Sequence, residues 1–252
     1  MENHTSSMPV WAIGFFILSF FCSLGFIANR VKQAAVNTGM TAGKARNIQY
    51  GVFGFYIAYL AYVSILSLKG VFDNNSIPPS VMGFCAIPLM IILFGIISNT
   101  QLFKKLLRSI TLESLVTIHM FRLVGGFFII LYSYRLLPTE FAFSAGIGDI
   151  ITALLAFPVA RMVLKGKSWS IPAVYAWNIL GILDILTLLA IAALDVKHDI
   201  LTGGHSQREM TIFPFVWFPA FAPATILFLH TLIFRKLTYE KRNDYTRNKY
   251  GF

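Results

Sequence analysis

The sequence predicts an all-α protein, a bundle of seven membrane-crossing helices, and three observations carry that prediction. The chain is 56% hydrophobic and only 13% charged over 252 residues, whereas soluble domains carry roughly 25% charged residues. Apolar runs of about 20 residues recur along it, long enough to cross a ~30 Å hydrocarbon core at ~1.5 Å per residue. Its Lys and Arg residues crowd every second connection, the pattern of a multi-pass chain obeying the positive-inside rule. The +10 net charge therefore sits at span ends and is no sign of nucleic-acid binding. Soluble-enzyme and nucleic-acid-binding classes are both set aside.

The first span is predicted over about 9–28. The preceding MENHTSSMP has no Lys or Arg, so it lacks the basic leading region of a secretory signal, and the apolar run is expected to stay as a helix. The second, 51–68, carries Tyr56, Tyr59 and Tyr62 as a loose stripe that either packs or adds hydroxyls to a cavity. The third, 80–98, is interrupted by Pro88. Next comes QLFKKLLRSI, with Leu102, Phe103, Leu106, Leu107 and Ile110 on one helical face and Lys104, Lys105 and Arg108 opposite. That pattern suits an interfacial helix at about 101–111 on anionic cytoplasmic headgroups. Spans four to seven follow at 113–135, 139–161, 172–193 and 212–234. Pro158 lies in the fifth, and Pro214, Pro219 and Pro223 are expected to break the seventh. A polar, basic, mobile tail fills 235–252. Residues 1–252 form one membrane domain. Cys22 and Cys85 fall inside apolar runs and are read as small buried apolar residues rather than a disulfide framework.

Orientation follows from the basic residues. Arg30, Lys32, Lys44, Arg46, Lys104, Lys105, Arg108, Arg161, Lys165, Lys167 and the tail fall on one side; Lys69, Arg135, Lys197 and Arg208 fall on the other. This predicts the N-terminus outside and the C-terminus in the cytoplasm. An odd number of spans satisfies every connection at once.

The fourth span, LESLVTIHMFRLVGGFFIILYSY, holds His119 and Arg122 in otherwise apolar sequence. Arg122, Asp149 and Asp184 each fall within ~3 Å of the bilayer midplane by residue count. A charge there costs at least ~2.5–3.5 kcal/mol, so the three are expected to meet inside the bundle. One Arg with two Asp leaves an excess negative charge, which favours a shared proton or a bound cation. Thr152 and Thr187, each three residues after an Asp, are expected to hydrogen-bond it. With Asn178 these residues make up the predicted binding cluster; no catalytic residue is assigned. His119 and His230 share a depth nearer the cytoplasm. Three readings of them stay open: hydrogen bonding within the bundle, bis-histidine ligation of haem b, or a zinc or iron site with a carboxylate.

The stretches LPTEFAFSAGIGD (137–149), WNILGILD (177–184) and PAFAPATILFLH (219–230), with HMFR before them, resemble an uncharacterised group of small bacterial multi-pass membrane proteins with no assigned activity. The resemblance covers about 115–235. It implies a bacterial inner-membrane location and a shared polar framework of His119, Arg122, Asp149, Trp177, Asn178, Asp184, Pro219, Pro223 and His230. It implies no substrate.

Transport or permeation of a small solute or ion, proton-coupled, is the favoured expectation, ahead of enzymatic activity. A haem- or metal-binding redox protein is the alternative, and a non-catalytic sensor or assembly subunit the third. Expected partners are the bilayer and its anionic cytoplasmic lipids, with a homo-oligomer implied by the short chain.

Overall fold

The computed structural model describes residues 6–74 and 76–250, with side chains as far as residue 241. The leading residues 1–5 and the end of the predicted tail lie outside these limits. Seven helices are long and apolar enough to cross a membrane: α1 (Val10–Asn37), α2 (Ala42–Leu68), α3 (Met82–Asn99), α5 (Leu112–Ser133), α6 (Thr139–Leu164), α7 (Ser170–Thr202) and α8 (Trp217–Tyr250). A short helix, α4 (Gln101–Ser109), joins α3 to α5. There is no strand among the described residues. The chain is an integral membrane protein, all-helical in architecture.

Local sequence sets the helix ends. Thr41, Thr100 and Thr111 precede α2, α4 and α5, and each hydroxyl accepts the backbone N–H three residues on, at 3.4, 3.2 and 3.1 Å. These N-caps satisfy donors that the helix itself leaves unpaired. Gly203, at φ 73°, closes α7 in the left-handed region that a side chain resists.

Two tyrosines of α2 donate hydroxyls to backbone carbonyls of neighbouring helices, one of them where proline removes the backbone donor. Pro88 gives α3 no N–H for the Phe84 carbonyl. The helix widens into π-helical turns on both sides, Met82–Ala86 and Ile91–Ile96, and the Tyr62 hydroxyl donates to the Phe84 carbonyl at 3.3 Å. Tyr59 donates to the Ala220 carbonyl, near Pro219 and Pro223 of α8, at 2.8 Å. Tyr59 and Tyr62 of the stripe therefore each satisfy a backbone carbonyl, which lipid cannot do.

The seventh span departs from the sequence expectation. Pro214 precedes α8, and Pro219 occupies its first turn, where no intrahelical bond is lost. Only Pro223 lies inside, so α8 is continuous rather than broken. It also runs on to Tyr250 through the region predicted as a mobile tail. Its lower part is anchored by Lys236, which donates to the Arg108 carbonyl of α4 at 2.8 Å. α7 likewise outruns its prediction. Its last turns are held by the following loop, in which Ser206 donates twice to Asp199 and Gln207 donates to Asp195, all at 2.8 Å. Cys22 lies exposed on the outer face of α1 rather than buried, whereas Cys85 is buried; both are free thiols.

α5 and α8 are the most enclosed helices and α7 the least. α6 packs against both α5 and α7. Phe16 and Phe20 of α1 meet Trp217, Phe218 and Phe215 in an aromatic cluster that ties α1 to α8 and its lead-in. This packing presents the inner faces of α5, α6, α7 and α8 to one another.

Candidate functional site

α5 changes its winding where the polar residues occur. It is α-helical to Ile118, a 3-10 helix over His119–Gly125, and α-helical again from Gly126. At about three residues per turn, His119, Arg122 and Gly125 fall in one row. That row faces α6, α7 and α8.

Arg122 is 2% exposed, and all three of its guanidinium nitrogens have acceptors. Nε donates to Asp149 Oδ1 at 2.6 Å, and Nη2 donates to Asp184 Oδ2. Nη1 points to the Gly181 carbonyl at 3.4 Å and to His230 Nε2, also at 3.4 Å. A planar guanidinium suits this division of donors among three helices. This is a polar seam within the bundle.

The same network assigns the histidine tautomer. Asn178 donates its NH2 to the His230 backbone carbonyl at 3.2 Å, which turns its amide oxygen to His230 Nδ1 at 2.8 Å. Nδ1 therefore carries the proton, and Nε2 offers its lone pair to Arg122. His119 lies beneath, its ring centroid 4.1 Å from that of His230 and 5.1 Å from Trp177. Neither ring nitrogen of His119 has a partner among the described residues, although the residue is fully buried. Trp177 donates to the Thr152 carbonyl at 2.9 Å, fastening α7 to α6.

Three glycines vacate the space these groups occupy. A Cβ on Gly125 would come within 2.7 Å of the Asp149 carboxyl carbon; one on Gly148 would come as close to that of Asp184; one on Gly181 would meet the His230 ring, 2.5 Å from Nε2. Gly148→Ala should therefore push Asp184 off Arg122 and lower stability by about 1–3 kcal/mol. Thermal unfolding of the purified protein checks this, with Gly14→Ala, where nothing lies within 4 Å, as a control that should not be destabilised.

Of the predicted cluster, Arg122, Asp149 and Asp184 are in direct contact, and Asn178 joins them through His230. The threonines behave otherwise. Neither hydroxyl bonds its Asp, because Arg122 turns both carboxylates toward α5. Thr152 contributes its backbone carbonyl, and Thr187 is exposed on the outer side of α7.

In this arrangement the two histidines are not placed to ligate a haem or a metal ion together. A haem iron would stand between the two rings with its macrocycle spread around it, yet the rings are in tilted contact and Trp177 closes against both. Arg122 places a cation at His230 Nε2, and Asn178 occupies Nδ1. No group of three or more His, Cys, Asp or Glu is arranged to hold a metal ion among the described residues.

A cavity of about 570 Å³ leads to the cluster. It begins among Asn74, Ser76, His205 and Gln207, in the connections before α3 and α8. It then descends between Leu188 and Ala192 of α7 and Phe218 and Ala222 of α8, and its lining reaches Asp149. Oδ1 of Asp149 is taken by Arg122, while Oδ2 accepts no hydrogen bond from the described residues. The cavity walls were not evident in the sequence, since apolar residues facing a void read the same as apolar residues facing lipid.

At the mouth, Glu209 is buried beside the exposed Arg208. Burial raises its carboxyl above the usual range, partly offset by a Ser6 hydrogen bond and the Arg208 charge. A raised carboxyl binds its proton more tightly in the folded state, so its stabilising contribution is full below about 4.3 and declines as pH rises through the folded value. Wild-type unfolding temperature should carry this decline, and Glu209→Gln should lack it.

A family model described as Domain of unknown function (DUF8737) matches residues 78–238. The chain belongs to that family. The matched region runs from the approach to α3 well into α8 and contains every member of the polar cluster. No curated protein and no solved structure matches the chain.

Proposed function

We propose that this protein is a proton-coupled permeation protein for a small solute or ion. The N-terminus faces outward, the C-terminus lies in the cytoplasm, and the membrane is the bacterial inner membrane. The observation that carries the reading is the cavity from the base-poor end of the bundle to Asp149. Intramembrane ionisable groups lining a cavity are the usual machinery of ion and proton pathways. Arg122 neutralises one of the two carboxylates; the remaining negative charge holds either a proton or the transported cation. The basic face of α4, with Lys104, Lys105 and Arg108, rests on anionic lipid headgroups. The protein works as a homo-oligomer.

Proteoliposomes containing the wild-type protein and an internal pH dye test the reading. A deproteinised cell extract on the opposite side supplies any co-substrate. The protein should relax an imposed pH gradient faster than empty liposomes do; equal rates with and without extract would overturn the proposal.

A further inference from the structure

The lining of the cavity distinguishes among solutes by charge and by polarity. Below the mouth the walls are apolar and aromatic, with Phe128, Phe141, Ile185 and Phe218 among them, and the carboxyl group at the end is Asp149. Arg122 is absent from that lining and has all its nitrogens directed at Asp149, Asp184, Gly181 and His230. Arg208 lines the mouth, but an anion that passes it would meet the Asp149 carboxylate and no free guanidinium donor at the inner end. A hydrated inorganic cation would exchange its water for Phe, Ile and Leu side chains, which offer it no oxygen ligands. A solute with an apolar body and one ammonium group meets neither objection. Its body leaves water for the walls, its charge reaches the Asp149 carboxylate at the inner end, and phenylalanine rings line the way to it. The volume of about 570 Å³ is in the usual range for small-molecule sites, about 300–1,000 Å³.

We propose that the cavity binds amphipathic organic monocations, with Asp149 as the ammonium-binding residue. This rests on the permeation reading for its physiological meaning, but binding is measurable without any flux.

Three probes with one body and different heads decide it: 4-phenylbutylammonium, 4-phenylbutanol and 4-phenylbutyrate. Each is titrated by calorimetry into the full-length protein in detergent, with protein-free micelles subtracted. The ammonium should bind saturably and at least about tenfold more tightly than the alcohol, with the carboxylate weakest. Asp149→Asn should abolish the difference between ammonium and alcohol, and Ala192→Trp, which fills the cavity away from the charges, should weaken both. Equal binding of ammonium and carboxylate, or no saturable binding of any probe to the wild type, would overturn the proposal. Unchanged ammonium affinity in either variant would do the same. If Asp149→Asn fails to yield monodisperse protein, the wild-type series and Ala192→Trp decide. Failure here together with faster pH relaxation in the liposomes would reject the solute class and leave the permeation reading standing.

Discussion

Arg122→Gln should cost the protein about 3–5 kcal/mol, the penalty for stranding buried charge when one partner of an enclosed ion pair is removed. The substitution leaves Asp149 and Asp184 close together with no cation between them. It also withdraws donors from the Gly181 carbonyl and from His230 Nε2. Arg122 is fully enclosed at its side chain, so water does not replace what is lost. Low monodisperse yield and a lowered unfolding temperature in detergent are the expected readouts. Adding Asp149→Asn and Asp184→Asn to the same chain should recover most of that stability, because three neutral groups of similar shape leave no unpaired charge behind.

The second large effect is on activity. Asp149→Asn keeps the side-chain volume and leaves Arg122 paired with Asp184, so the protein should fold. Its cluster is then neutral, and the cavity ends on an amide. pH-gradient relaxation in proteoliposomes should fall to the rate of empty vesicles. Asp184→Asn makes the same change in net charge but alters a residue that does not line the cavity. It should retain measurable flux. Equal loss in both variants would indicate that charge balance, and not the group the cavity reaches, governs activity.

The parts of this structure that were legible in the sequence are those governed by transfer into lipid. Apolar runs of sufficient length mark seven helices, and the cost of isolated charge requires Arg122, Asp149 and Asp184 to find each other. The 3-10 segment at His119–Gly125 had no such signal: its residues suit an α-helix equally well, and the tighter winding emerges only with the helices packed against it. Without that winding, His119 and Arg122 share a face but do not form a row with Gly125. Thr187 misled because i+3 spacing allows a hydrogen bond without requiring it, and Arg122 competes for the same carboxylate. The prolines of α8 misled for a related reason. Their effect depends on where the helix starts, and a start at Trp217 makes Pro219 harmless. Gly125, Gly148 and Gly181 were visible as small residues, but which side chain each admits is a property of a neighbouring helix. The continuation of α8 past residue 235 depends on Lys236 reaching the Arg108 carbonyl, a contact across 128 positions that no local pattern encodes.

The decisive measurement is pH-gradient relaxation by liposomes carrying R122Q/D149N/D184N, normalised to folded protein by size-exclusion and thermal unfolding. If the buried charges form a working centre, this variant folds and is silent. If it folds and relaxes the gradient at the wild-type rate, the charges serve only to pair the helices, and the permeation account is wrong.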